Sequence, residues 1–201
     1  MFTKETIMVI SSTQNISADQ RQFNQIKTSD SENKIKRLRH NGQIQIYQSS
    51  YRGSYATIIR DSLRNAALGR KVLLAQPMKG GVNQGVSNPI RLCGNLLWIR
   101  PEISPEQNND PNTINSDSIS MAIKNSIIEL WEFCKKQLLS GEQDQVILDE
   151  IFRPIELGII AEDDLISTLD NRFLSGDVIL TGTSIPKKFL LMADQFTELR
   201  S

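Results

Sequence analysis

Two carboxylates stand side by side at Asp149 and Glu150, directly after the apolar run Val146-Ile147-Leu148. Three consecutive apolar residues with a β-branched start predict a strand buried on both faces. In open parallel sheets, ligands sit outside the carboxyl ends of the strands. Acids at such a tip are costly unless they are paired or hold a metal. Gln145 to Glu150 has the shape of a Walker B element, in which the first carboxylate holds magnesium directly or through water. Asp149 and Glu150 are therefore candidate magnesium ligands. The same pattern also suits the start of a solvated loop or the cap of a following helix, and both alternatives stay open at this point.

A second group of candidates follows another apolar run. After Val72-Leu73-Leu74-Ala75-Gln76 come Pro77-Met78-Lys79-Gly80-Gly81. Glycines at the end of a parallel strand let a ligand approach the backbone closely, and Lys79 could meet a phosphate. An ordinary flexible connection would use the same residues. Trp98, in the run Leu96-Leu97-Trp98-Ile99, is either core or a stacking platform for a ring.

These candidates need elements to hold them. The chain has 201 residues, enough to bury one sizeable core. Lys and Arg number 23 and Asp and Glu 23, so the formal net charge is zero. That balance argues against a protein that coats nucleic acid or a membrane surface, both of which favour a basic excess. With two cysteines, Cys93 and Cys134, and one histidine, His40, no Cys/His metal cage or disulfide framework is expected. No apolar run of ~18 residues is present, nor a secretory leader, so a cytoplasmic location is expected.

Residues 1–42 are rich in Gln, Asn, Ser, Thr and charge, and are expected to form a polar, flexible N-terminal extension. Within it, Lys34 to His40 is either an anion-facing arm or a solvated charge run. Residues 43–201 are expected to form one domain. Ile44, Ile46 and Tyr47 predict a first strand. Tyr55 to Leu68 predicts a helix with Ile59, Leu63 and Ala66 on one face and Gly69 as its stop. Arg70 to Gln76 gives the second strand and Leu96 to Ile99 a third, while Pro101 to Ser116 reads as a loop.

Ser118 to Leu139 carries the clearest helical stripe: Ile119, Ile123, Ile127, Leu130, Cys134 and Leu138 recur at three or four residues. Trp131 and Cys134 there read as packing. Beyond Glu150, the acids Glu162, Asp163 and Asp164 suit the first turn of a helix. Asp177 to Gly182 predicts a strand, Pro186 to Met192 a short helix, and Gln195 to Arg200 a last strand. Alternating strands and helices predict an α/β fold, a doubly wound, mostly parallel sheet with helices on both faces.

The ordered series Gly69-Arg70-Lys71-Val72, Gln76-Pro77-Met78-Lys79-Gly80, Val146 to Glu150, Leu157 to Ile160, Asp177 to Gly182 and Ala193-Asp194 with Thr197 to Arg200 resembles the ATP:cob(I)alamin adenosyltransferase family of P-loop proteins. The likeness runs from about residue 44 to 200. It implies a three-layer P-loop NTPase-like fold, MgATP and a reduced corrinoid as ligands, and a homodimer. It also implies transfer of the 5′-deoxyadenosyl group of ATP to cobalt, with the metal of the corrinoid as nucleophile and no catalytic Ser, Cys or His.

The same alignment sets Ser49-Ser50-Tyr51-Arg52-Gly53-Ser54-Tyr55-Ala56 against the family's glycine-rich phosphate loop. Ser54 then replaces the phosphate-binding lysine and Tyr55 the magnesium-ligating hydroxyl residue, while Gly53 is retained. Arg52, Gly53, Ser54 and Tyr55 are the residues that would face a nucleotide there, with Arg52 and the free N–H groups of the helix start as its anion donors. Two functions are compatible with this pattern: an adenosyltransferase with an altered phosphate loop, or a non-catalytic relative acting as a binding or regulatory module.

Overall fold

The computed structural model describes residues 41–51, 55–80, 83–102 and 120–199. The expected polar extension up to residue 40, the basic cluster within it and most of the expected proline-containing loop lie outside them. Strands β1 (Ile44–Ser49), β2 (Val72–Ala75), β3 (Ile90–Leu92), β4 (Leu96–Ile99), β5 (Gln145–Leu148), β6 (Asp177–Gly182) and β7 (Gln195–Leu199) form one sheet. Its order is β3-β4-β2-β5-β6-β1-β7, and every pairing is parallel except that of β3 with β4. The helices are α1 (Ala56–Ala67), α2 (Met121–Ser140), α3 (Phe152–Glu156), α4 (Glu162–Asp170) and α5 (Lys187–Met192).

The period of two along each strand divides its side chains between two cores. Val72, Leu74, Ile147 and Ile179 pack with Tyr55, Ile58 and Ala66 beside α1. Their neighbours Leu73, Ala75, Val146, Leu148, Val178 and Leu180 pack with α2, α4 and α5 on the opposite face. Both faces of the central strands are thus covered, which is why β2 is an unbroken apolar run and β5 is apolar after Gln145. The result is the expected three-layer α/β fold.

Helix α2 is specified by its ends as well as its stripe. The Ser120 hydroxyl accepts from the Ile123 amide at 3.3 Å, and Gly141 closes the helix at φ +70°, where a side chain would be strained. Ile123, Ile127, Leu130, Trp131, Cys134 and Leu138 are its buried residues, and burial pushes the Cys134 thiol well above its ordinary range. Trp131 and Cys134 are packing, as expected; Ile119 lies outside the described residues.

Three details differ from the sequence expectation. The buried face of α1 is Ile58, Ser62 and Ala66, with Ile59 and Leu63 only partly covered. Ser62 tolerates burial because its hydroxyl donates to the Ile59 carbonyl at 2.6 Å. Pro186 precedes α5 in extended backbone instead of opening its first turn. The sheet also gains the antiparallel edge strand β3, whose three residues are too short and too exposed to show a pattern.

The sheet opens a crevice where chain connections diverge. From β2 the chain runs on toward β4, and from β5 toward β6, on opposite sides of the β2/β5 pair. Ligands of open α/β sheets bind outside the carboxyl ends of such strands. Gln76 follows β2 there, and Asp149 and Glu150 follow β5.

Candidate site at the acidic strand tip

Register brings the tip together. Ala75 pairs with Leu148, so the next residues, Gln76 and Asp149, emerge side by side, and the Asp149 amide donates to the Ala75 carbonyl at 2.9 Å. Asp149 and Glu150 are only 2% and 4% exposed. Neither is therefore part of a solvated loop. They do not cap the following helix either, because the cap position of α3 is Ile151 and the helix has no side-chain cap.

Burial of the Asp149 carboxylate is matched by donors on both oxygens. Oδ1 accepts from the Thr181 hydroxyl at 2.8 Å. Oδ2 accepts from Gln76 Nε2 at 2.7 Å and from Lys79 Nζ at 3.0 Å, the latter an ion pair. A buried charge persists only when paired and hydrogen-bonded, and here it is both. The Glu150 amide donates to Thr181 Oγ1 at 2.8 Å, which leaves the threonine proton for Asp149. Glu150 holds φ at +56°, a left-handed conformation that non-glycine residues rarely adopt and that gathers at functional sites.

Gln76 carries the network outward. Its Oε1 accepts from Trp98 Nε1 at 2.9 Å and from Arg100 Nε at 2.9 Å. The Arg100 guanidinium also lies over the Trp98 ring, 4.6 Å from its centroid, a cation–π contact. Burial pulls the Arg100 pKa down, and the nearby Asp149 charge acts against that.

Tyr55 approaches the tip from the other core. It precedes α1, is 1% exposed, and its hydroxyl has no hydrogen-bond partner among the described residues. Burial, then the Glu150 and Asp149 charges, push its pKa up to about 12; the backbone N–H groups of Ser49 and Gly182 lie near enough to oppose that shift but do not reach hydrogen-bond geometry. Tyr55 and the end of β5 are thus electrostatic neighbours.

Of the nominated residues, Asp149, Glu150, Lys79 and Tyr55 meet at this tip, and Gly80 is half-buried in the loop that delivers Lys79. Trp98 is half-buried and reaches the tip through Gln76, so it is more than core packing. Arg52, Gly53 and Ser54 lie outside the described residues. Sequence reasoning passed over Gln76, Arg100 and Thr181. Their one signal is position: the first two follow strands, and Thr181 is the last residue but one of β6, all at carboxyl ends.

Fold and tip together define a three-layer α/β protein with buried acids at the carboxyl end of a central parallel strand. The chain belongs to the ATP:corrinoid adenosyltransferase family, whose model, described as ATP:corrinoid adenosyltransferase BtuR/CobO/CobP, matches residues 40–201. It is 24% identical over 159 residues to the corrinoid adenosyltransferases of two Escherichia coli strains, covering 79% of this chain and 76% of theirs. It is also 33% identical over 70 residues to an uncharacterized protein of Nostoc sp., covering 35% of this chain and 18% of that protein.

Proposed function

We propose that this chain is a non-catalytic member of the family that uses the scaffold as a binding or regulatory module. The observation that carries this reading is the Asp149 carboxylate, whose oxygens are already engaged by Gln76, Lys79 and Thr181. The phosphate loop supports it from the sequence side. Ser54 and Tyr55 stand where the resemblance places a lysine and a magnesium-ligating hydroxyl, so the Walker A element is degenerate. Losing charge stabilisation of a leaving phosphate chain costs a factor of roughly 10² to 10³ in rate for each strong donor removed. Corrinoid and ATP remain the small molecules whose binding is to be tested. We place the protein in the cytoplasm as a homodimer, with residues 1–42 as a polar extension to the domain.

A second reading, active adenosyl transfer from ATP to a reduced corrinoid, is favoured by the buried Asp149 and Glu150 and by the names of the Escherichia coli relatives. In that reading Arg52, Gly53, Ser54, Tyr55, Lys79, Gly80 and Trp98 face the nucleotide. Cob(I)alamin, ATP and Mg²⁺ incubated with the full chain under reducing conditions separate the two. No adenosylated product above the protein-free background is expected. Product that forms with the native chain and vanishes in Asp149→Ala would overturn the non-catalytic reading.

A further inference from the structure

We propose that Lys79 is the resident cation of the acidic tip, and that the tip takes no divalent metal at Asp149. A magnesium ion demands near-octahedral oxygen ligands at about 2.0–2.1 Å and gives up its water reluctantly. Both oxygens of Asp149 are already engaged. Three donors already point at the carboxylate, and one of them carries a full positive charge.

Those donors are themselves fixed in direction. The Gln76 side-chain oxygen is held by both Trp98 Nε1 and Arg100 Nε, so turning the amide to present oxygen to a cation would break both bonds. Its NH₂ group must therefore face Asp149. Thr181 accepts the Glu150 amide proton on the oxygen whose own proton goes to Asp149, which likewise leaves a positive dipole end toward the carboxylate. A divalent ion would meet the N–H and O–H protons of these two residues as well as the ammonium. Among the described residues no group of three or more His, Cys, Asp and Glu side chains is placed to hold a metal ion. Direct ligation of magnesium by Asp149, one of the two arrangements the hexapeptide suggests, thus does not fit the hydrogen-bond directions seen.

This inference shares the Asp149 geometry with the functional reading but concerns the protein with neither ATP nor corrinoid present. Its test is a Mn²⁺ titration of the full chain without nucleotide, followed by the electron paramagnetic resonance signal of free Mn²⁺. The native chain is expected to leave that signal undiminished up to millimolar metal. The double variant Gln76→Glu with Lys79→Met removes the ammonium and turns the fixed donor into an acceptor. Once shown by circular dichroism to be folded, it is expected to take up about one equivalent, and adding Asp149→Asn should abolish that uptake. Uptake of one equivalent by the native chain, lost in Asp149→Asn, would overturn the proposal whatever the double variant does. A folded double variant that takes up no Mn²⁺ would overturn the role given to Lys79 and Gln76. Since no substrate is present, either failure leaves the adenosylation result standing on its own.

Discussion

Tyr55 combines two features that rarely coexist without function, full burial and a hydroxyl lacking a partner among the described residues. Leaving a buried polar group unpaired costs about 1–3 kcal/mol. Tyr55→Phe keeps the ring and is expected to stabilise the fold by about 1 kcal/mol, raising the thermal midpoint by a few degrees. The pH dependence has a definite sign. Folding raises the phenol from 10.0 to about 12, so the neutral form is favoured in the native state. Its contribution to stability is complete below pH 10 and fades as pH climbs toward 12. Urea unfolding across that window should show stability falling less steeply in Tyr55→Phe than in the native chain; equal slopes would remove Tyr55 as a cause. At this scale the sequence disclosed the acids and Lys79, because charge after an apolar run is conspicuous. It hid Gln76, Thr181 and Arg100, because neutral amides, a lone hydroxyl and one more exposed-looking arginine become informative only when a sheet register sets them beside Asp149.

Helix α2 shows how far local rules reach. Its stripe, its Ser120 cap and its Gly141 terminus agree with one another, which is what a sequence that specifies one structure should display. Ser120→Ala removes the acceptor of the Ile123 amide and is expected to cost about 1 kcal/mol. Gly141→Ala places a methyl group in left-handed backbone and against the Phe173 ring, and is expected to cost at least as much. Chemical denaturation of the two variants checks both, and a loss far below these values in both would show that tertiary packing alone sets the helix limits. Strands β2, β5 and β6 were legible for a different reason: burial on both faces leaves no polar alternation within Val72 to Ala75, Val146 to Leu148 and Val178 to Leu180. Edge strand β3 and the five-residue helix α3 were not, since a segment of three to five residues spans about one period of any pattern.

For the whole molecule, the central claim is that a parallel sheet has kept its buried acidic tip while that tip has become self-satisfied. Alternation of strands and helices was enough to anticipate the layers, and the order of short motifs was enough to anticipate the family. Whether the crevice takes nucleotide was not legible, because it turns on hydrogen-bond directions around one carboxylate. A ligand at a hundredfold excess over its dissociation constant stabilises the native state by about 2.7 kcal/mol. For a chain of this size that is a rise of roughly 5–11 °C in the thermal midpoint. The most direct measurement is therefore thermal denaturation of the full chain with and without millimolar MgATP. An unchanged midpoint is expected, and a rise of several degrees that disappears when Asp149 is replaced by Ala would contradict a self-satisfied tip.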